Sequence, residues 1–181
     1  MRGWVRAADV AALRTTVNRD RGRAGAAVSR TSVLADRGII WPVLGGGLLA
    51  VPAARRAGMA ALCAVAAEAA LTKAIKPMVG RTRPPWWQRL RSRDHGRQPG
   101  SGSMPSSHTG NAVAFATACA LQAPGVAAPL LVLAGLVGAS RLTTARHYPS
   151  DVAVGLLTGL AVGSVVGLLI RRRGARRAAH E

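Results

Sequence analysis

Residues Thr109–Ser140 read TGNAVAFATACALQAPGVAAPLLVLAGLVGAS and contain no charged side chain. Pro124-Gly125 splits the stretch near its middle and marks a turn, so it reads as two apolar halves lying back to back. Three further apolar runs flank it: Gly38–Ala54, Ala57–Ile75 and Val152–Ile170, the last closed by Arg171-Arg172-Arg173. A bilayer core takes about 20 helical residues, with roughly 17 the practical minimum. The second, fourth and fifth runs meet that length. The first, carrying Pro42 and Gly45-Gly46-Gly47, is marginal and kinked, and the third spans only if flanking residues are recruited. The fold expected is an all-α, polytopic membrane helical bundle of about five to six helices.

Composition agrees. The chain has 181 residues, 49% of them hydrophobic, with 25 Lys+Arg against 7 Asp+Glu and a formal charge of +18. Mean hydropathy is +0.20, which argues against a nucleic-acid binder and against disorder. Aromatics at 3% leave few stacking platforms for bases. Apolar residues in lipid with arginines at the edges fit both numbers. Cys63 and Cys119 fall inside apolar runs, as small hydrophobes and not half-disulfides. The expected division is a basic segment over 1–37, a membrane domain over 38–170 and a basic tail over 171–181. The first segment lacks the apolar core of a cleavable signal peptide. It reads either as a loose tail or as an amphipathic surface helix with Trp4, Val5, Ala8 and Ala11 on one side.

Gly155, Gly159, Gly163 and Gly167 recur every four residues in the fifth run, one small-residue stripe along a helix that packs tightly against a neighbour. Between the second and third runs, Lys76 to Ser107 is an arginine- and proline-rich polar loop at the water boundary. Its Trp86 and Trp87 read as interfacial anchors, while Asp94 and His95 have no evident partner. Glu68 and Lys73 interrupt the second run. Ionisable residues at membrane depth suggest function, but Glu68 pairing with an arginine or facing the bundle interior is an equally good reading.

Three short segments at run ends concentrate polar chemistry: Lys76-Pro-Met-Val-Gly-Arg81-Thr-Arg83-Pro84, Pro105-Ser106-Ser107-His108-Thr109, and Ser140-Arg141 through His147 to Asp151. In an antiparallel bundle these ends share one membrane face, which puts the active site there. Lys76, Arg83 and Arg141 offer concentrated positive charge and many donors, suited to a phosphate or another oxyanion. Ser106 and Ser107 precede a helix, so their hydroxyls and backbone N–H groups add neutral donors. His108 and His147 can move protons or attack phosphorus near neutral pH. Asp151, four residues after His147, could hold one ring nitrogen if the helix begins that early. Singly, such residues are topology signals, helix caps, surface pairs or metal ligands.

Together they resemble the three-part signature of the type 2 phosphatidic acid phosphatase superfamily, which also includes vanadium haloperoxidases. The family's lysine, six residues, Arg-Pro is met by Lys76 and Arg83-Pro84. Its Pro-Ser-Gly-His is met by Pro105-Ser106-Ser107-His108, with serine in the glycine place. Its Ser-Arg, five residues, His, three residues, Asp is met by Ser140-Arg141, His147 and Asp151. The resemblance implies a metal-independent, cofactor-free phosphatase. In it His147 attacks phosphorus, Asp151 supports His147, and His108 protonates the leaving group and then activates water. Lys76, Arg83, Ser106, Arg141 and the Ser107 backbone N–H would hold the phosphoryl oxygens.

A site at a bilayer edge selects a lipid phosphate as partner, alongside membrane lipids and without nucleic acid. A prenyl-linked phosphate of a bacterial cell envelope is the preferred substrate, and phosphatidic acid or phosphatidylglycerol phosphate the alternative. A haloperoxidase and a non-catalytic basic membrane scaffold are the readings from other classes. With five spans, 18 of the 25 basic residues fall on the catalytic side, which points that side to the cytoplasm. Six-span relatives usually act on the outer face, so the side of the membrane stays open.

Overall fold

In a computed structural model of the chain, residues 2–19, 38–85 and 100–178 are described, with the side chains of 2–5, 18, 19, 177 and 178 left aside. Trp86, Trp87, Asp94, His95 and the arginines from Arg89 to Arg97 therefore lie outside the described residues. Six α-helices and no strand form the described part. They are α1 (Arg2–Arg19), α2 (Ile40–Ala50), α3 (Arg55–Val79), α4 (Ser107–Ala120), α5 (Ala127–Thr143) and α6 (Pro149–Ala178). The 3-10 turns Pro52–Ala54 and Pro124–Val126 lead into α3 and α5. Proline, which lacks an N–H, suits such a first position.

Among the described residues three helices are long and apolar enough to cross a membrane: Pro52–Val79, Pro124–Thr143 and Pro149–Arg176. These are the second, fourth and fifth runs. Leu131, Val132, Leu157, Val165 and Leu169 on the last two point outward and exposed, as lipid-facing residues do. The first run gives the 11 residues of α2, an apolar helix shorter than those three. Pro42 does not kink it. It falls in the first turn, where no intrahelical N–H bond is lost. α4, with 14 residues, forms the bundle's interior: Ala114, Phe115, Ala116, Ala118 and Cys119 are all buried. Cys119 is a free thiol, as is the exposed Cys63.

The glycine stripe lies against α4. A Cβ at Gly155 would meet Ser106 O at 2.6 Å, and one at Gly163 would meet Ala114 O at 2.7 Å. At Gly167 the obstacle is Leu121 Cδ1, also at 2.7 Å, and at Gly159 it is the Gly110 carbonyl. Four glycines on one helix thus oppose four successive turns of the other. On the far side of α4, Phe115 packs on Trp41 of α2, ring centroids 5.3 Å apart and tilted by 40°.

Residues 2–19 of the N-terminal segment form α1, and one side of it packs on the bundle. Ala8 and Ala11 are exposed, and Asp9, Leu13 and Val17 face inward. Leu13 and Val17, with Val10 beside them, close on Ala145 and Tyr148 between α5 and α6. These larger side chains cover more apolar area than alanines can, and that area decides which face docks. α6 runs past Arg171–Arg173 to Ala178.

Candidate active site

The four helix ends that carry the polar segments converge. α3 continues through Pro77 and stops at Gly80, whose φ of 58° is left-handed and whose N–H returns to Lys76 O at 3.0 Å. Glycine takes that conformation without a Cβ penalty. Lys76 is thereby held in the last turn, and Arg81 and Arg83 follow in non-helical chain. The Ser106 N–H donates to Asp151 O at 3.0 Å and the Ser103 N–H to Arg81 O at 2.8 Å, so all three segments are stitched by backbone.

α5 ends in a turn that presents His147. The N–H groups of Arg146 and His147 both donate to Arg141 O, at 3.1 and 3.2 Å, and Ala145 sits at φ 49°. That is an unfavourable region for a residue with a Cβ, and the packing of Leu13 and Val17 holds it there. Arg141 and Ser140 are fully buried, with Arg141 Nε donating to Ser140 Oγ at 3.2 Å.

His147 does not lie on the helix as the sequence spacing suggested, because α6 begins only at Pro149. Asp151, in the first turn, still reaches it: Oδ2 is 3.6 Å from Nδ1, an ion-pair separation too long for a hydrogen bond. The same Oδ2 accepts the Tyr148 N–H at 2.9 Å, and Oδ1 accepts from Arg81 Nη1 at 2.9 Å. On the opposite edge of the ring, Arg83 Nη1 lies 3.1 Å from His147 Nε2. A guanidinium only donates, so Nε2 is the acceptor and Nδ1 carries the proton toward Asp151. Arg83 also donates to Arg146 O and Ser101 O, each at 3.1 Å, which fixes its plane.

His147 is buried to 2% exposure, and burial pulls its pKa down to about 4. Asp151 pulls the other way, while Arg83 and Lys76 add to the fall. The ring is therefore neutral at pH 7. His108, near the start of α4, is drawn down to about 3 by burial and then by the positive charge of Arg141, His147, Arg146 and Lys76. Those causes place His108 in the same electrostatic field as the rest.

Ser106 is buried at the N-cap position of α4, with its Oγ 3.0 Å from Thr109 Oγ1 and not on a backbone N–H. Ser107 begins α4, and its N–H belongs to the first turn. Lys76, Arg81, Thr82, Arg83 and Gly102 line a cavity of about 640 Å³, and Lys73 stands on its wall one turn before Lys76. Glu68 lies apart from the site: it faces the bundle interior, fully buried, and accepts from Thr158 Oγ1 at 2.7 Å. Sequence reasoning passed over Arg81, Asp9, Tyr148 and Ser150. Arg81 stands two residues before Arg83 and resembled any loop arginine, and the other three gain meaning only from contact.

The chain is 33% identical over 130 residues to decaprenylphosphoryl-5-phosphoribose phosphatases of two Mycobacterium tuberculosis strains. The match covers 66% of this chain and 65% of theirs, so it falls just short of two-thirds of the relatives' length. Among solved structures, the fold matches the transmembrane PAP2-type phosphatidylglycerolphosphate phosphatase of Bacillus subtilis with a TM-score of 0.75. Identity there is 21%, with 94% of this chain and 88% of that one covered. The PAP2 superfamily pattern matches residues 57–175, from the start of α3 to near the end of α6 and across all three polar segments, and the chain belongs to that superfamily.

Proposed function

We propose that the protein is a membrane lipid-phosphate phosphatase working through a phosphohistidine on His147, with a prenyl-linked phosphate as substrate. The observation that carries this is the state of His147. Its Nε2 faces the Arg83 guanidinium and its Nδ1 faces Asp151, and burial, which lowers its pKa to about 4, favours the neutral ring. A nucleophilic imidazole needs that tautomer.

In the first step a phosphoryl oxygen takes over the Arg83 donor and frees the Nε2 lone pair, Nε2 attacks phosphorus, and the bond from phosphorus to the lipid oxygen breaks, with His108 giving its proton to that oxygen. Asp151 stabilises the imidazolium as positive charge develops on the ring. In the second step His108 takes a proton from water, the water oxygen bonds to phosphorus, the P–N bond breaks and inorganic phosphate leaves. Arg83, Lys76, Arg141, Ser106 and the Ser107 N–H hold the phosphoryl oxygens. Preorganised charge of this kind is the main catalytic term in phosphoryl transfer. Burial first, and then the surrounding positive charge, lower the His108 pKa, and a bound phosphate supplies negative charge that offsets the second of these.

The substrate preference rests on the activity for which the Mycobacterium relatives are named and on the site's place at the ends of the apolar helices. The test is phosphate release in detergent, with EDTA present, from prenyl and glyceryl phosphates side by side. Faster release from the prenyl substrate, abolished in His147→Ala and in His108→Ala, is the expected result. A radiolabelled substrate should leave acid-labile, alkali-stable label on the wild type and none on His147→Ala. Equal turnover by wild type and His147→Ala refutes the mechanism.

A further inference from the structure

α1 lies outside the part of the chain that matches the PAP2 pattern, yet it reaches the site. Asp9 is 6% exposed, and every bond it makes goes to the site's supports. Its Oδ1 accepts the Ser150 N–H at 3.0 Å, and its Oδ2 accepts the Ser150 hydroxyl at 2.6 Å. Oδ2 also takes a charge-assisted bond from Arg81 Nη2. Arg81 turns its other nitrogen, Nη1, to Ser150 Oγ and to Asp151 Oδ1. Its guanidinium lies over the Tyr148 ring, 4.6 Å from the centroid.

Asp9 therefore does two things for α6. It caps the first turn from another helix, where an orphan N–H and the positive end of the helix dipole both favour a carboxylate. It also shares Arg81 with Asp151, so that the cation is held between two carboxylates and cannot swing. Asp151 then has both oxygens committed, one to Arg81 and one to the Tyr148 N–H, and its position beside His147 Nδ1 follows from those two bonds. Leu13 and Val17 seat α1 on Ala145 and Tyr148, residues of the same turn that presents His147.

We propose that α1 is a docked clamp that completes the active site, with Asp9 as a positioning residue acting on His147 through Arg81 and Asp151. Asp9 does not face the phosphate site, so its loss should lower kcat while leaving KM nearly unchanged. Support of this indirect kind is commonly worth 10- to 100-fold. This inference rests on the proposed function only where activity is the readout.

The experiment uses the full chain in detergent and a cycle of Asp9→Asn, Arg81→Gln and the double variant. In the wild-type background Asp9→Asn should reduce kcat by about 10- to 100-fold with KM within about twofold. In the Arg81→Gln background it should add less than twofold, because the connecting residue is already gone. Asp9→Glu, which keeps the charge, should recover part of the loss. In parallel, the ¹⁵N-histidine spectrum, with His147 assigned by His147→Ala, should show the Nδ1–H tautomer in the wild type. Asp9→Asn should shift or broaden that signal.

Several outcomes overturn the inference: unchanged kcat in Asp9→Asn, the same fold loss in both backgrounds, or a fall in thermal midpoint without change in kcat. If the wild type releases no phosphate from any lipid tested, the proposed function fails instead. The histidine spectrum then still decides the clamp, since an unaltered His147 signal in Asp9→Asn refutes it.

Discussion

Gly163→Ala adds one methyl group at the α4–α6 seam, and its cost can be worked from distances. The new Cβ would sit 2.7 Å from Ala114 O, 2.9 Å from Thr117 Cβ and 3.0 Å from Ala114 Cα. Two of those three atoms are backbone, so no flexible side chain can swing aside. Ordinary contact begins at 3.4 Å, so α4 and α6 must part locally from 2.7 to at least 3.4 Å. A gap of that order forfeits a quarter to a half of each dispersion contact across the seam, where Ala114 and Ala118 meet Val166 and Ile170. Overpacking of this kind costs about 1–3 kcal/mol. Alanine's better helix propensity, up to about 1 kcal/mol over glycine, offsets little in detergent, where the unfolded chain stays largely helical. Gly135→Ala on α5 is the matched control, because nothing lies within 4 Å of its added Cβ. The assay is SDS or thermal unfolding in mild detergent, followed by tryptophan fluorescence, which reports the loss of tertiary packing. Gly163→Ala should be destabilised by about 1–2 kcal/mol, a five- to thirtyfold change in the unfolding constant, and Gly135→Ala should be neutral or slightly stabilised. If the two variants unfold alike, the close approach of α4 and α6 is wrong.

The remaining predictions concern the site. With His147 drawn down to about 4, its neutral form persists as pH falls, so the enzyme's own acid limb in kcat/KM should lie near 4 once the substrate's ionisation near 6 is allowed for. Asp151→Asn removes the one charge that raises that pKa, so the limb should move to lower pH as kcat falls. A limb moving up contradicts the assignment. Arg83→Lys keeps the charge but loses the fork that bonds Ser101 O, Arg146 O and His147 Nε2 together. A loss of about 10²–10³ in kcat is expected, and wild-type activity would refute the positioning role. Glu68→Gln retains an acceptor for Thr158 and should unfold like wild type, whereas Glu68→Ala should cost about 1–3 kcal/mol by leaving a void beside Gly110 and the Thr158 hydroxyl with only the Gly155 carbonyl as acceptor. Equal midpoints for the two variants would contradict the contact. Burial pushes the Asp9 carboxyl up, but the bonds from Ser150 and Arg81, with the Arg81 charge, outweigh it and hold the group below the usual range. Docking of α1 should thus be strongest above about pH 4 and weaken as pH falls through the depressed value, measurable by hydrogen exchange at Leu13 and Val17.

Several features were open to reading along the chain because they are periodic or local. Three apolar runs long enough to cross a bilayer, one glycine every four residues, and the charges at run ends all appear without a partner being known. Others were not. Pro42 looks the same in sequence whether it breaks a helix or begins one, and only the start of α2 at Ile40 decides between them. His147 and Asp151 have i, i+4 spacing, but the helix starts between them, so their approach comes from a turn held by Arg141 O and not from a shared helical face.

Chain order and residue type were enough to read a helical membrane protein and to expect a phosphate-directed site at the run ends, because burying apolar runs in lipid leaves the charge of +18 only the edges to occupy. Which of those charges matter to one another is a different kind of fact. Asp9 and Arg81 are 72 residues apart, and no periodicity links them. Their pairing exists because Leu13 and Val17 bury their side chains on the turn beside Tyr148, and that docking carries a carboxylate to the open end of α6. Local chemistry is written in sequence, whereas long-range pairing is settled only when packing brings surfaces together.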